Sequence, residues 1–208
     1  MRRVLVLALL ALALPIAAWA DIVVDNQFGS ISISNSGIFS SGVQLASWNG
    51  FSNGGSLGSV SFSTGTLMSG SITGTGGATF NAGGTFNVVG VGPWAALLTG
   101  QAHCGSGCAL FTGSFSGPVS WTYAGCSAGC GTKFYTITGN IVGMLFNGRT
   151  VSGTTTQNVY TTGQQLNLGV GHLHAGSSNL NTPEPGTLGL LGTGLVGIAG
   201  MLRRKLIG

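Results

Sequence analysis

Residues 109–124 read Ala109-Leu-Phe111-Thr-Gly-Ser-Phe115-Ser-Gly-Pro118-Val119-Ser-Trp121-Thr-Tyr123-Ala124. Large apolar residues alternate with small polar ones on both sides of Ser116-Gly117-Pro118. A period of two is what a half-buried strand requires, because successive side chains point to opposite faces of a sheet. Ser-Gly-Pro between two such runs is a turn signal. The stretch therefore reads as an antiparallel hairpin folded about Gly117. In that register Phe115 faces Val119, Gly113 faces Trp121 and Phe111 faces Tyr123, all on one face. Ser114 with Ser120 and Thr112 with Thr122 occupy the other, and the clean separation supports the pairing.

The same pattern extends in both directions. Strands are expected at Ile31–Ser34, Leu57–Ser63, Thr66–Thr73, Thr79–Asn81, Thr85–Val89, Leu97–Ala102, Ala109–Phe115, Val119–Ala124, Lys133–Phe146, Thr150–Thr161 and Gln165–His174, with Gly, Asn and Ser between them. No stretch between residues 21 and 182 shows a persuasive helical period. All ten Phe and all three Tyr lie in that region, which gives it the material for a packed core and argues against low-complexity disorder. The expected fold is all-β, an antiparallel β-sandwich-like body, with a β-solenoid as the runner-up. The one internal echo, Ala78-Thr-Phe80-Asn81 with Gly84-Thr-Phe86-Asn87, is too short to make a repeat array.

Extending the hairpin ladder places Cys108 opposite Cys126 and Cys104 opposite Cys130. At a non-hydrogen-bonded position the Cα atoms are ~4.5 Å apart, within disulfide range. Nested bridging is thus the expected connectivity. The alternative closes each CxxxC on itself, which the glycines of Cys104-Gly-Ser-Gly-Cys108 tolerate. A Cys₄ zinc site has a similar outline, but four cysteines in an exported domain favour bridges.

Charge is scarce, with charged residues making up 5% of 208 residues. The net charge of +4 belongs to the ends of the chain: Arg2, Arg3, Glu184, Arg203, Arg204 and Lys205 account for all of it. The body carries only Asp21, Asp25, Lys133 and Arg149, which cancel. It lacks the basic stripe that phosphate neutralisation needs, so no nucleic-acid partner is expected.

The same scarcity constrains chemistry. Glycoside hydrolysis uses two carboxylates flanking a bond, and a Ser-His-Asp arrangement needs one to orient its histidine. Only Asp21 and Asp25 are available, beside the new N-terminus, so no catalytic residue and no cofactor is expected. His172 and His174 would share a strand face and, with His103, are weak candidates for a zinc or copper site; no metal is assigned. Rows of Asn, Ser and Thr with exposed aromatics could bind glycans or ice, or simply form an uncharged β surface.

The ends of the chain are more explicit. Arg2-Arg3, the apolar run Val4–Leu14, Pro15, and the small residues Ala18 and Ala20 read as a secretory signal over residues 1–20, a signal helix cut by signal peptidase after Ala20. About eleven apolar residues span only ~16 Å, half of a bilayer core, which disfavours a permanent anchor. At the other end, Pro183-Glu184-Pro185-Gly186 precedes an apolar run over 187–202, and Arg203-Arg204-Lys205 follows it. Such a run reads as a single transmembrane helix, ~24 Å long, stretched by snorkelling arginines, with its basic cluster on the cytoplasmic side. Both ends then place the body outside.

This order of Pro-Glu-Pro, short apolar segment and basic terminus resembles the PEP-CTERM sorting domain of exopolysaccharide-producing Gram-negative bacteria, also labelled an ice-binding protein C-terminal domain. The resemblance covers residues 183–208. It implies handling by an exosortase-type transpeptidase in the membrane, with cleavage near Pro183–Pro185. Gly192-Thr-Gly194-Leu-Val-Gly197 matches GxGxxG, but neither a preceding strand nor a βαβ unit surrounds it, so it is no dinucleotide site. The expected protein is an exported, non-enzymatic β protein. It passes through an inner-membrane intermediate to the cell surface or extracellular matrix, with signal peptidase, the transpeptidase, the membrane and exopolysaccharide as partners. The alternative is an extracellular module that binds glycan, metal or ice.

Overall fold

A computed structural model describes residues 21–73, 75–162 and 169–181. The signal over 1–20, the Pro183–Pro185 motif, the helix expected over 187–202 and the basic cluster lie outside the described residues. Among the described residues no helix is long and apolar enough to cross a membrane.

The architecture is a closed eight-stranded β-barrel. Its thirteen strand segments assemble into eight long antiparallel staves. β1 (Ile22–Gln27) continues into β2 (Ser30–Ser34), β3 (Gly37–Ser41) into β4 (Val43–Trp48), and β5 (Gly58–Ser63) into β6 (Leu67–Gly70). β7 (Ala78–Phe80) continues into β8 (Gly83–Gly90), and β9 (Cys108–Phe115) into β10 (Val119–Cys126). The last three are unbroken: β11 (Thr132–Leu145), β12 (Thr150–Thr162) and β13 (Val170–Asn181). Each stave pairs with its neighbours in sequence. β13 then pairs with β1 through Ile22↔Leu180 to Gln27↔Ala175, and with β2 through Val170↔Ser32, which closes the cylinder.

The expected sandwich and solenoid are both overturned by this closure. Its physical cause lies at the breaks between segments. Phe28 (φ 57) and Gly29 (φ 103) bend the first stave, and Gly42 (φ 66) bends the second. At Gly29 a side chain would meet the backbone of Val43 at 2.8 Å, so the bend needs glycine there. Kinks of this kind coil a sheet until its edges meet, and closure leaves no unpaired edge.

The hairpin about Gly117 is likewise corrected. β9 and β10 do not pair with each other. Both lie along one edge of β11, β9 against Phe111↔Leu145 to Phe115↔Ile141 and β10 against Ser120↔Thr138 onward. The Ser116 N–H donates to Asn140 O at 2.9 Å, so the ladder runs on through the Ser-Gly-Pro step.

One expected strand is a helix. Leu97–Ala102 is replaced by α1 (Pro93–Thr99), which starts with Pro at its first turn and ends at Gly100 in the left-handed conformation. Pro at that position, a run of Ala and Leu, and a terminating glycine are local helix signals. The strands Ile22–Gln27, Gly37–Ser41 and Val43–Trp48 were not expected from the sequence.

The barrel is filled. Phe62, Phe86, Phe111 and Phe115 pack centrally, with Phe86 centroids 5.9, 6.2 and 6.0 Å from the other three. Trp121 stacks on Tyr135 at 4.4 Å. Across the closing seam the interior turns polar. Asn26 donates to Gln157 at 2.8 Å, Gln157 donates back to Asn26 at 3.2 Å and to Thr155 at 2.8 Å, and Ser178 donates to Thr155 at 2.7 Å. Gly176 makes room for the Gln157 carboxamide, which a side chain there would strike. With apolar side chains inside and hydroxyls outside, the wall is the inverse of a membrane-spanning barrel, whose outer band is apolar.

Candidate functional site

Because the staves alternate, every residue between two core positions points outward. On β10 to β13 these are mostly Thr, Ser and Asn. Ser120, Thr138, Thr156, Ser177, Asp25 and Ser47 stand in register as one row across six neighbouring strands. Asn140, Thr154 and Asn179 form a second row, and Thr122, Thr136 and Asn158 a third. Within the third, Thr136 Oγ1 donates to Asn158 Oδ1 at 3.4 Å. Rows in such a ladder repeat about every 7 Å along the strands, with members ~4.8 Å apart.

The next row is aromatic. Phe134 pairs with Tyr160, and Tyr160 with His172. The Tyr160 and His172 rings stack with centroids 5.4 Å apart. A bulge in β13 beside Val159 turns His174 outward too, and its ring meets Tyr160 edge-on at 6.3 Å. Phe134 is 43% exposed. The outer wall thus carries an aromatic stripe bordered by hydroxyls and amides.

A second surface lies at the barrel end where the chain enters at Ile22 and leaves at Asn181. The connections Asn49–Leu57 and Val91–Gly107 cover this end. Trp48, Asn49, Phe51, Trp94, Leu97 and Leu98 line a pocket of about 530 Å³ there. Phe51 stacks on Trp94 at 5.5 Å. Leu97 is 86% exposed, and Phe51 and Leu98 are also exposed. The indole N–H of Trp94 is buried without a hydrogen-bond partner.

The sequence-derived candidates distribute as follows. Cys104 bridges Cys108, and Cys126 bridges Cys130. The nested pairing is therefore overturned, because its premise, a β9–β10 hairpin, does not exist; Cys108 begins one stave segment and Cys126 ends the next. The Cys104–Cys108 bridge packs against Ala95 and Trp94 and fastens the α1 connection. His172 and His174 flank Tyr160, whereas His103 sits at the opposite end of the barrel, so the three are not brought together. Among the described residues no group of three or more His, Cys, Asp or Glu is placed to hold a metal. Asp21 is exposed, and Asp25 accepts a hydrogen bond from Ser47 Oγ at 2.7 Å on the outer wall. Burial, with Tyr123 beside it, raises the Tyr135 phenol above its ordinary value of 10.0. Tyr135 lies inside the barrel, which marks it as a core residue.

The aromatic row escaped the sequence reading because register decides it. Phe134, Tyr160 and His172 are far apart along the chain and meet only through two ladders. The apolar rim escaped because its helix was read as a strand.

Residues 181–205 match the PEP-CTERM protein-sorting motif. The match begins at the last residue of β13 and covers the tail alone. It carries export and membrane-associated sorting by an exosortase-type system. No curated protein and no solved structure matches the chain.

Proposed function

We propose that this chain is an exported, non-catalytic β-barrel whose outer wall contacts the neutral exopolysaccharide of the cell surface or matrix to which its tail is sorted. The observation that carries the reading is the Phe134–Tyr160–His172 stripe set among Thr, Ser and Asn rows. The C–H faces of pyranose rings pack on aromatic rings, and their hydroxyls exchange hydrogen bonds with the bordering hydroxyls and amides. Three members ~4.8 Å apart span about 10 Å, the scale of two sugar rings. Few charges surround the stripe, which suits an uncharged polymer. The interior is packed with side chains, so the outside is the surface on offer.

Absence of catalysis is part of the proposal. The body's two carboxylates are an exposed Asp21 just before β1 and an Asp25 within β1 that is engaged with Ser47 on the outer wall. Neither has a second acid facing it across a cleft, as glycoside hydrolysis needs.

Co-sedimentation of the purified protein with polysaccharide extracted from the native host tests both parts. Binding should fall about fivefold in Tyr160→Ala, the loss of one stacking contact worth about 1 kcal/mol. It should be unchanged in Asp21→Asn/Asp25→Asn. Equal binding by Tyr160→Ala would move the contact elsewhere. Release of reducing sugar that disappears in the Asp double variant would make the protein an enzyme.

A further inference from the structure

We propose that the apolar rim formed by Phe51, Trp94, Leu97 and Leu98 is a bilayer-contacting surface that seats the barrel end-on against the membrane while its tail awaits processing. The inference rests on the sorting reading of residues 187–202 and adds a site within the barrel itself.

Three observations meet at this rim. First, it is apolar and uncovered: Leu97 is 86%, Phe51 48% and Leu98 37% exposed, on two separate connections that stack through Phe51 and Trp94. A monomer rarely leaves such residues together at a surface unless something covers them. Second, the connections Asn49–Leu57 and Val91–Gly107 contain no Asp, Glu, Lys or Arg. Neither connection therefore brings a full charge into the headgroup region, the charges at this end, Asp21 and Arg149, lying outside both, and Trp is a side chain such an interface favours. Third, the chain leaves the barrel at the same rim. β13 ends at Asn181, and only β1 separates it from β4, whose last residue Trp48 lines the apolar pocket. Two ladder steps are about 10 Å. Only residues 182–186 intervene before the apolar run begins at Thr187. Even fully extended, that link reaches about 20 Å. A barrel tethered so closely to a membrane segment must keep some part of itself near the lipid surface, and this rim is the part made for it.

The consequence is functional. With the rim seated, Asn181, where the chain leaves the barrel, stands close to the membrane surface, where a membrane-embedded transpeptidase meets its substrates. The rim is then a positioning surface for processing, and the aromatic stripe on the wall remains free toward the outside.

The test uses the signal-cleaved full chain with its tail intact, reconstituted into neutral phosphatidylcholine vesicles brominated on the acyl chain just below the headgroup. Tryptophan quenching is compared between wild type and Trp94→Phe to isolate Trp94. The rim predicts strong quenching of the Trp94 component. It also predicts that Leu97→Asp/Leu98→Asp still floats with the vesicles but loses most of that quenching. Phe51→Ser, on the other connection, should give the same loss and guards against a local failure of α1. Hydrogen exchange over residues 91–99 should be slower in vesicles than in detergent for wild type only. A wild-type chain that floats but shows no Trp94 quenching overturns the rim and leaves the sorting reading standing. Unchanged quenching in both variants also overturns it. A chain that does not float overturns the rim together with the membrane reading of the tail. Protection of residues 91–99 by concentration-dependent dimerisation, without quenching, assigns the patch to a second copy and overturns the lipid proposal.

Discussion

Replacing Gln157 with Leu should loosen the barrel at its closing seam. Gln157 is 1% exposed and bridges β12 to β1 through two hydrogen bonds with Asn26, at 2.8 and 3.2 Å, and to Thr155 at 2.8 Å. Leu matches its volume and cannot pair. Asn26, 2% exposed, then loses partners for both its amide nitrogen and its oxygen. A buried polar group left unsatisfied costs about 1–3 kcal/mol, so the variant should lose about 2–5 kcal/mol. For a domain of this size the melting temperature falls by about 2–4 °C per kcal/mol. Thr155 keeps Ser178, which limits the damage to the seam. Removing the orphan should restore much of the loss: Asn26→Leu/Gln157→Leu should be more stable than Gln157→Leu alone. Urea unfolding of the signal-cleaved protein measures the cycle, with the slope checked for two-state behaviour. A Gln157→Leu variant within about 0.5 kcal/mol of wild type, or a double variant at the sum of the singles, would refute the argument that this network closes the barrel.

Other expectations follow from the core and the bridges. Phe86→Ala should cost about 3–5 kcal/mol in the same unfolding assay, because Phe86 is fully buried among three other phenylalanines. Non-reducing proteolysis that cuts near Tyr123 should yield two separate peptides, one holding Cys104–Cys108 and one Cys126–Cys130; a peptide pair joined across the cut would contradict the local bridges. Burial favours the neutral form of Tyr135, so its contribution is fully present below the unfolded phenol value of about 10. Unfolding free energy should then decline as pH rises past 10 toward the raised folded value, and Tyr135→Phe should show a shallower decline over that window.

Much of the wall was legible because strands announce themselves by alternation. Residues 132–145 and 150–162 were foreseen almost to their ends, since nothing interrupts their period of two. Direction at Ser116-Gly117-Pro118 was not legible. Residues 111, 113, 115, 119, 121 and 123 share a face whether the chain folds back or runs straight on, because every spacing among them is even. Alternation is blind to that choice, and the edge of β11 decides it. From the hairpin error followed the nested disulfides; the sandwich came separately, from short strands and glycine turns that a closed barrel shares. The strand over residues 22–27 was missed because Asn26 sits at an inward position, paired only in the folded barrel; over residues 37–48 the alternation is broken by the adjacent buried pair Gly37-Ile38 and by the bend at Gly42. The sorting motif, by contrast, was readable from Pro183-Glu184-Pro185 and its flanks, since its pattern is local in sequence. The aromatic stripe and the apolar rim depend on residues that only the closed ladder brings together.

Processing at both ends of an exported barrel is the central claim. Intact-mass measurement of the protein recovered from the envelope or matrix of its native host tests this. The predicted species begins at Asp21 and has lost the Arg203–Lys205 tail. A surface species that still ends at Gly208 would contradict the account.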